Sequence, residues 1–220
     1  MEQTVLNNAS YIQICVTEEQ KLFARKLVEH SLRHHHVPNI WDKEKTSLSQ
    51  TRMMRFTGSL GEIIFADCYH LPRPTRSFGA IDGQDLGQDF LIKSSEHTFS
   101  VDIKSMKRRT GDLSKSYVLN IPASQLHKQN SKTSHYFCIS FHQSDRDGTI
   151  ASLLGFIDKT SLETGASGDL YKAGTKRTRT DGTTFTFYEN TYEILFGDID
   201  PPVVTNHIRS LNGFRIFELN

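Results

Sequence analysis

The sequence predicts an α/β fold in a single domain, and three observations carry that prediction. Apolar residues recur at three- and four-residue spacing before residue 71 and alternate with polar ones between 89 and 141, while proline and glycine clusters separate the two regimes. At 220 residues the chain is long enough for one sizeable core. Thr17-Glu18-Glu19-Gln20 is a capped helix start, and Leu22, Leu27, Val28 and Leu32 form an apolar stripe that runs toward His34-His35-His36. Pro38 and Trp41 interrupt it. A second helix is expected within 45–71, where Met54, Leu60, Ile63, Ile64 and Cys68 recur, and Pro72 and Pro74 end it.

Residues 78–88 read as loop. Asp89-Phe90-Leu91-Ile92-Lys93 and Phe99 to Ser105 then read as two strands joined around Ser95-Glu96-His97, a hairpin. Closure through two or three loop residues would set Asp89 opposite position 103 or 104. Tyr117 to Ile121 and Tyr136 to Phe141 supply two more strands, with a short helix opened by Pro122 between them. Farther on, Leu153 to Ile157 reads as strand, and Asp158-Lys159-Thr160-Ser161-Leu162 as a cap and helical turn. Strand-like content returns at Thr183–Tyr188, Tyr192–Phe196 and Phe214–Leu219, without a deducible pairing. The expected layout is therefore a core at about 45–142, an N-terminal helical extension at 11–44 and a C-terminal β-rich extension at 143–220.

Within Thr98-Phe99-Ser100-Val101-Asp102-Ile103-Lys104-Ser105, strand alternation buries Phe99, Val101 and Ile103 and projects Asp102 and Lys104 from the other face. Their spacing along the strand is roughly 7 Å, which leaves room for a cation beside the carboxylate and a water or phosphate oxygen beside the amine. An acid-x-Lys triplet is weak by itself. Glu19-Gln20-Lys21 matches too, but it lies in a predicted helix, where residues i and i+2 diverge, and reads as solvated surface.

The triplet at Asp102 differs in its setting. A strand carries it, Asp89 precedes it on the partner strand, and a helix holding Gly58-Ser59-Leu60-Gly61-Glu62 comes before both. At these residues the chain resembles the PD-(D/E)xK superfamily of nucleases, the restriction-endonuclease-like fold, from about Arg55 to Phe141. Two departures are Gln88 in place of proline before the first Asp, and Asp rather than Glu in the triplet. The resemblance implies a mixed β-sheet flanked by helices with core order αβββαβ. It also implies catalytic Glu62, Asp89, Asp102 and Lys104, with Mg²⁺, or Mn²⁺ in its place, held by Asp89, Asp102, the Ile103 carbonyl and Glu62. The chemistry gives each a reason, because two carboxylates suit a hard octahedral cation and an amine orients the attacking water and offsets charge at phosphorus. Gly58 and Gly61 would let the helix approach the sheet closely.

Formal net charge is +1, so the chain has no global polycationic signature and any nucleic-acid contact must come from local clusters. Lys107, Arg108 and Arg109 follow the triplet strand; Lys172, Lys176, Arg177 and Arg179 lie in a Gly/Thr-rich segment. Both groups are expected phosphate contacts. DNA is the expected substrate, with RNA or a noncatalytic binding or assembly role as alternatives, and homodimerisation is left open. Three widely spaced cysteines, Cys15, Cys68 and Cys138, suit reduced thiols, and the sequence contains neither a leader pattern nor a membrane-length apolar run. A cytoplasmic protein is the expectation. His30 and His34 share helical i, i+4 spacing, but no nearby carboxylate completes a metal motif, so they read as a polar helix end. Dinucleotide, phosphate-loop and nucleophile-elbow signatures are missing from the sequence.

Overall fold

The structure is a computed structural model that describes residues 6–34, 47–75, 89–93, 98–128, 131–178, 182 and 184–220. Strand β1 (Ser10–Cys15) opens the chain. Helix α1 (Glu18–His34) begins at a capping box in which the Gln20 amide donates to Thr17 Oγ1 at 3.2 Å and the Thr17 amide donates to Gln20 Oε1 at 2.9 Å. Helix α2 (Leu48–Cys68) starts the same way on Ser47 and Gln50. The two helices pack together, with Arg55 donating to Ser31 Oγ at 2.8 Å and Arg52 paired with Glu29 at 2.9 Å.

Strands β2 (Phe90–Lys93) and β3 (Thr98–Lys107) form the expected hairpin. Its turn, Ser95 to His97, lies outside the described residues, as does Gln88. Then follow β4 (Val118–Pro122), α3 (Ala123–Leu126), β5 (His135–Ser144), β6 (Gly148–Asp158) and α4 (Lys159–Glu163). Asp158 caps α4 by accepting from the Thr160 and Ser161 amides. Last come β7 (Asp169–Tyr171), β8 (Lys176–Thr178), β9 (Thr184–Thr186), β10 (Thr191–Leu195), α5 (Asn206–Ser210) and β11 (Arg215–Glu218).

A six-stranded mixed sheet in the order β11-β1-β6-β5-β3-β2 organises the molecule, and β3 with β5 is its parallel pair. On one face Ile12, Val101, Ile103, Phe137 and Ile139 bury against Leu60, Ile63, Ile64 and Phe65 of α2, Ala24 and Leu27 of α1, and Ile208 of α5. On the other face Tyr136, Cys138 and Leu154 bury against Leu119 and Ile121 of β4, Leu126 of α3, Leu162 of α4 and Ile194 of β10. A second sheet, β4-β10-β7, forms part of that outer layer, and β8-β9 is a separate two-stranded ribbon. No helix among the described residues is long and apolar enough to cross a membrane.

Two expectations change. The sheet is not confined to 45–142, because β1 inserts between β11 and β6, so segments expected at the periphery supply half of its strands. Ile12 and Ile14 face one core and Tyr11 the other, which explains why so short a run is a stable strand. The element order from α2 to β5 is helix, strand, strand, strand, helix, strand, as expected, but β4 leaves the main sheet and pairs with β10.

Candidate functional site

The hairpin register decides where the expected residues meet. Phe90 pairs with Val101 and Lys93 with Thr98. The connection therefore spans four positions rather than two or three, and Asp89, one residue before the paired strand begins, lies against Val101 and Ile103. Two contacts hold Asp89 there, since its amide donates to the Val101 carbonyl at 2.9 Å and its Oδ2 accepts from the Ile103 amide at 2.7 Å. Asp102 and Lys104 project from one face of β3 by strand alternation, and Asp89 stands at the edge beside them, tied to the β3 backbone.

The Asp102–Lys104 gap does not stay open. The flexible lysine stem brings Nζ to 2.8 Å from Asp102 Oδ2, and the same amine donates to Gln125 Oε1 on α3 at 2.9 Å. The two side chains keep only 20% and 19% of their exposure, so this ion pair lies below the surface while Asp89 is exposed. Nζ also stands 5.3 Å from the centroid of the Tyr136 ring, within cation–π range. Burial first, then the Asp102 and Glu163 charges, pushes the Tyr136 phenol well above its ordinary value and keeps it protonated. Farther round this rim, Glu163 lies 3.7 Å from Lys159 Nζ and 3.9 Å from His127 Nδ1.

Glu62 comes from the opposite layer. Gly61, not Glu62, is the α2 position pressed onto β3, for a Cβ there would overlap Ser105 Oγ and come within 3.3 Å of Ile103 Cγ2. Ile103 and Ser105 occupy the strand face that Asp102 and Lys104 do not. At 100° per residue Glu62 falls about 20° from Arg55 around the helix, the side that meets Ser31 of α1. It is half-buried there. Among the described residues no three of His, Cys, Asp and Glu gather closely enough to hold a metal ion. The structure thus pairs Asp102 with Lys104, ties Asp89 to the adjacent backbone of β3, and leaves Glu62 on the far side of the sheet.

Of the expected phosphate contacts, Lys107, Arg109, Lys172 and Lys176 are exposed. Arg108 is instead packed within the outer layer, its guanidinium 4.7 Å from the Tyr117 ring centroid and 4.6 Å from that of Phe196 while it donates to the Val118 carbonyl. Arg177 pairs at 2.8 Å with Glu193, whose side chain is 5% exposed. Both arginines have structural partners because a guanidinium stacks and chelates where a lysine cannot. Arg179 lies outside the described residues. Lys107 and Arg109 also lie at the far end of β3, roughly 16 Å from Asp102 at the strand rise. Gln125 is the site residue that sequence reasoning missed, because a neutral side chain on a four-residue helix has no pattern that links it to a lysine 21 positions earlier.

The arrangement holds a mostly buried Asp102–Lys104 ion pair on β3, with the exposed Asp89 carboxylate tied to the same strand. Comparison with models of known families, with curated proteins and with solved structures returned no match for this chain.

Proposed function

We propose that this chain is a metal-dependent nuclease that hydrolyses phosphodiester bonds in DNA on a restriction-endonuclease-like core. The observation that supports the reading is the hydrogen bond from the Ile103 amide to Asp89, which ties that carboxylate to the strand that carries Asp102 and Lys104. The chain order from α2 through β5 supports it. A restriction-type, defence or mobile-element role rests on family resemblance alone.

Asp89, Asp102 and the Ile103 carbonyl would supply all-oxygen donors of the kind Mg²⁺ or Mn²⁺ takes. Such an ion, when bound, offsets phosphate charge and acidifies its water. The protein groups do the rest. The Ile103 amide fixes the Asp89 carboxylate through Oδ2. Lys104 has three donors, so it can keep Gln125 while it releases Asp102 and turns to a nonbridging oxygen or to the attacking water. Gln125 and the Tyr136 ring restrict where the amine goes.

The Asp102–Lys104 ion pair also favours a second reading, a noncatalytic nucleic-acid-binding module in which acid and amine satisfy each other. Incubating the protein with supercoiled, linear and single-stranded DNA and with RNA, with and without Mg²⁺ or Mn²⁺, separates the two. The nuclease reading expects metal-dependent cleavage that falls by about a hundredfold or more in Asp102→Ala and Lys104→Ala at unchanged thermal midpoints. Wild-type protein that binds these substrates yet cuts none establishes the binding module instead.

A further inference from the structure

The two-stranded ribbon β8-β9 is separate from both larger sheets and pairs Lys176 with Thr186, Arg177 with Phe185 and Thr178 with Thr184. Strand alternation gives it two unlike faces. On the inner face Arg177 donates twice to Glu193 Oε1, at 2.8 and 3.1 Å, and lies 5.4 Å from the Tyr171 ring centroid, while the Phe185 ring packs edge-on against Phe187 at 5.0 Å. Phe187 in turn stacks on Tyr171, with centroids 5.0 Å apart and planes 13° from parallel. These groups fasten the ribbon to β7 and β10.

The outer face takes no part in that packing. It carries Lys176, Thr178, Thr184 and Thr186, of which all but Thr186 are exposed. The Thr178 and Thr184 hydroxyls share one hydrogen bond at 3.1 Å, which leaves the pair a proton to donate. Ammonium and hydroxyl donors are side chains that hold phosphate oxygens, and the described residues of the ribbon include no carboxylate to oppose them. The neighbouring acids, Glu193 and Asp169, act on Arg177 instead and favour its charged form.

Tyr188 follows at the base of the ribbon. Phe187, the residue before it, is 5% exposed, whereas Tyr188 is 90% exposed and belongs to neither core. Phe187 exchanges backbone hydrogen bonds with Gly174 and Thr175, which brings Tyr188 beside the turn that carries exposed Lys172. An aromatic ring held in water next to cationic and hydroxyl donors suits an unpaired base flanked by phosphates. A duplex, whose base faces are already covered, cannot use it.

This segment also adjoins the candidate site. Ser124 Oγ donates to Glu189 Oε2 at 2.7 Å and the Ala123 amide donates to the Asn190 carbonyl at 2.8 Å, so α3 rests against the two residues that follow Tyr188. The next residue of α3 is Gln125, which accepts from the Lys104 amine. One helical turn thus links that amine to the ribbon.

We propose that Tyr188 and the outer face of the ribbon form a track for single-stranded nucleic acid beside the Asp102–Lys104 pair, with one unpaired base stacked on the Tyr188 ring and adjacent phosphates on Lys172 and Lys176; the assignment rests on the nucleic-acid reading above. Stacking and phosphate contacts are common to DNA and RNA strands.

The test is binding of fluorescently labelled short dT and rU homopolymers and of a hairpin duplex in EDTA, alongside the metal-dependent cleavage assay. Wild-type protein is expected to bind the homopolymers about tenfold more tightly than the duplex. Tyr188→Ala should weaken homopolymer binding about tenfold, the loss of one stacked base, with duplex affinity and thermal midpoint unchanged, and Tyr188→Phe, which keeps the ring, should stay within about twofold of wild type. Lys172→Ala and Lys176→Ala should each lower the single-strand salt slope by about 0.7. Wild-type affinity for single strands no higher than for duplex, or homopolymer binding that survives Tyr188→Ala, overturns the proposal. Binding that depends on Tyr188 for dT alone or for rU alone supports the track and names its strand. Cleavage without such binding removes the track alone, and such binding without cleavage supports the track while removing the nuclease.

Discussion

Replacing Gly61 with alanine tests the contact that fixes α2 on the sheet. A built Cβ overlaps Ser105 Oγ and stands 3.0 Å from Ser105 Cβ and 3.3 Å from Ile103 Cγ2, so something must move. The helix cannot retreat cheaply, because Leu60, Ile63, Ile64 and Phe65 on either side of Gly61 are fully buried against the same sheet. Overpacking of this kind costs about 1–3 kcal/mol, while alanine recovers about 1 kcal/mol of helix propensity over glycine. The net expectation is a loss of about 0–2 kcal/mol. Ser105 supplies the control, since its hydroxyl is buried without a partner and Ser105→Ala should be neutral or stabilising by up to about 1 kcal/mol. In the double variant the nearest obstacle is gone, so the two changes should couple by about 1–2 kcal/mol, far outside additivity. Urea unfolding of the four proteins at constant m reads the cycle, and thermal midpoints should track it at about 2–4 °C per kcal/mol for a chain of this size. Additivity within about 0.5 kcal/mol, or a Gly61→Ala protein more stable than wild type, refutes the close approach.

Three other outcomes are expected. Arg177→Ala should destabilise by about 2 kcal/mol by leaving the Glu193 carboxylate buried and unpaired, a value below the full cost of breaking a buried pair because Arg177 is itself 41% exposed; urea unfolding checks it, and nucleic-acid affinity should hold. The folded state resists protonating His142 more than the unfolded chain does, so stability falls as pH drops below about 6.5, and His142→Gln should flatten that slope in urea midpoints taken from pH 7.5 to 5.5. Gln125→Ala should lower kcat of the proposed nuclease about tenfold with KM unchanged by freeing the Lys104 amine, and Gln125→Glu, which still accepts that bond, should restore most of it in steady-state cleavage assays.

The features legible before folding are those that local periodicity encodes. Two capped helices, a hairpin and the shared face of Asp102 and Lys104 follow from 3.6- and 2-residue repeats and from cap residues, all of which act within a few positions. Asp89 was legible as a candidate on the same grounds, although its register needed the loop length. Tertiary structure alone decided the rest. The entry of β1 between β6 and β11 joins residues far apart in the chain, and β4 turned to β10 because Leu119 and Ile121 bury in the outer core. The same packing set Glu62 behind the sheet, gave Lys104 its Gln125 partner, drew Arg108 between two rings and left a cavity beside His142. A side chain's sequence neighbours fix which way it points from its own element, but its partners depend on which elements bury against each other, and that is a property of the whole core.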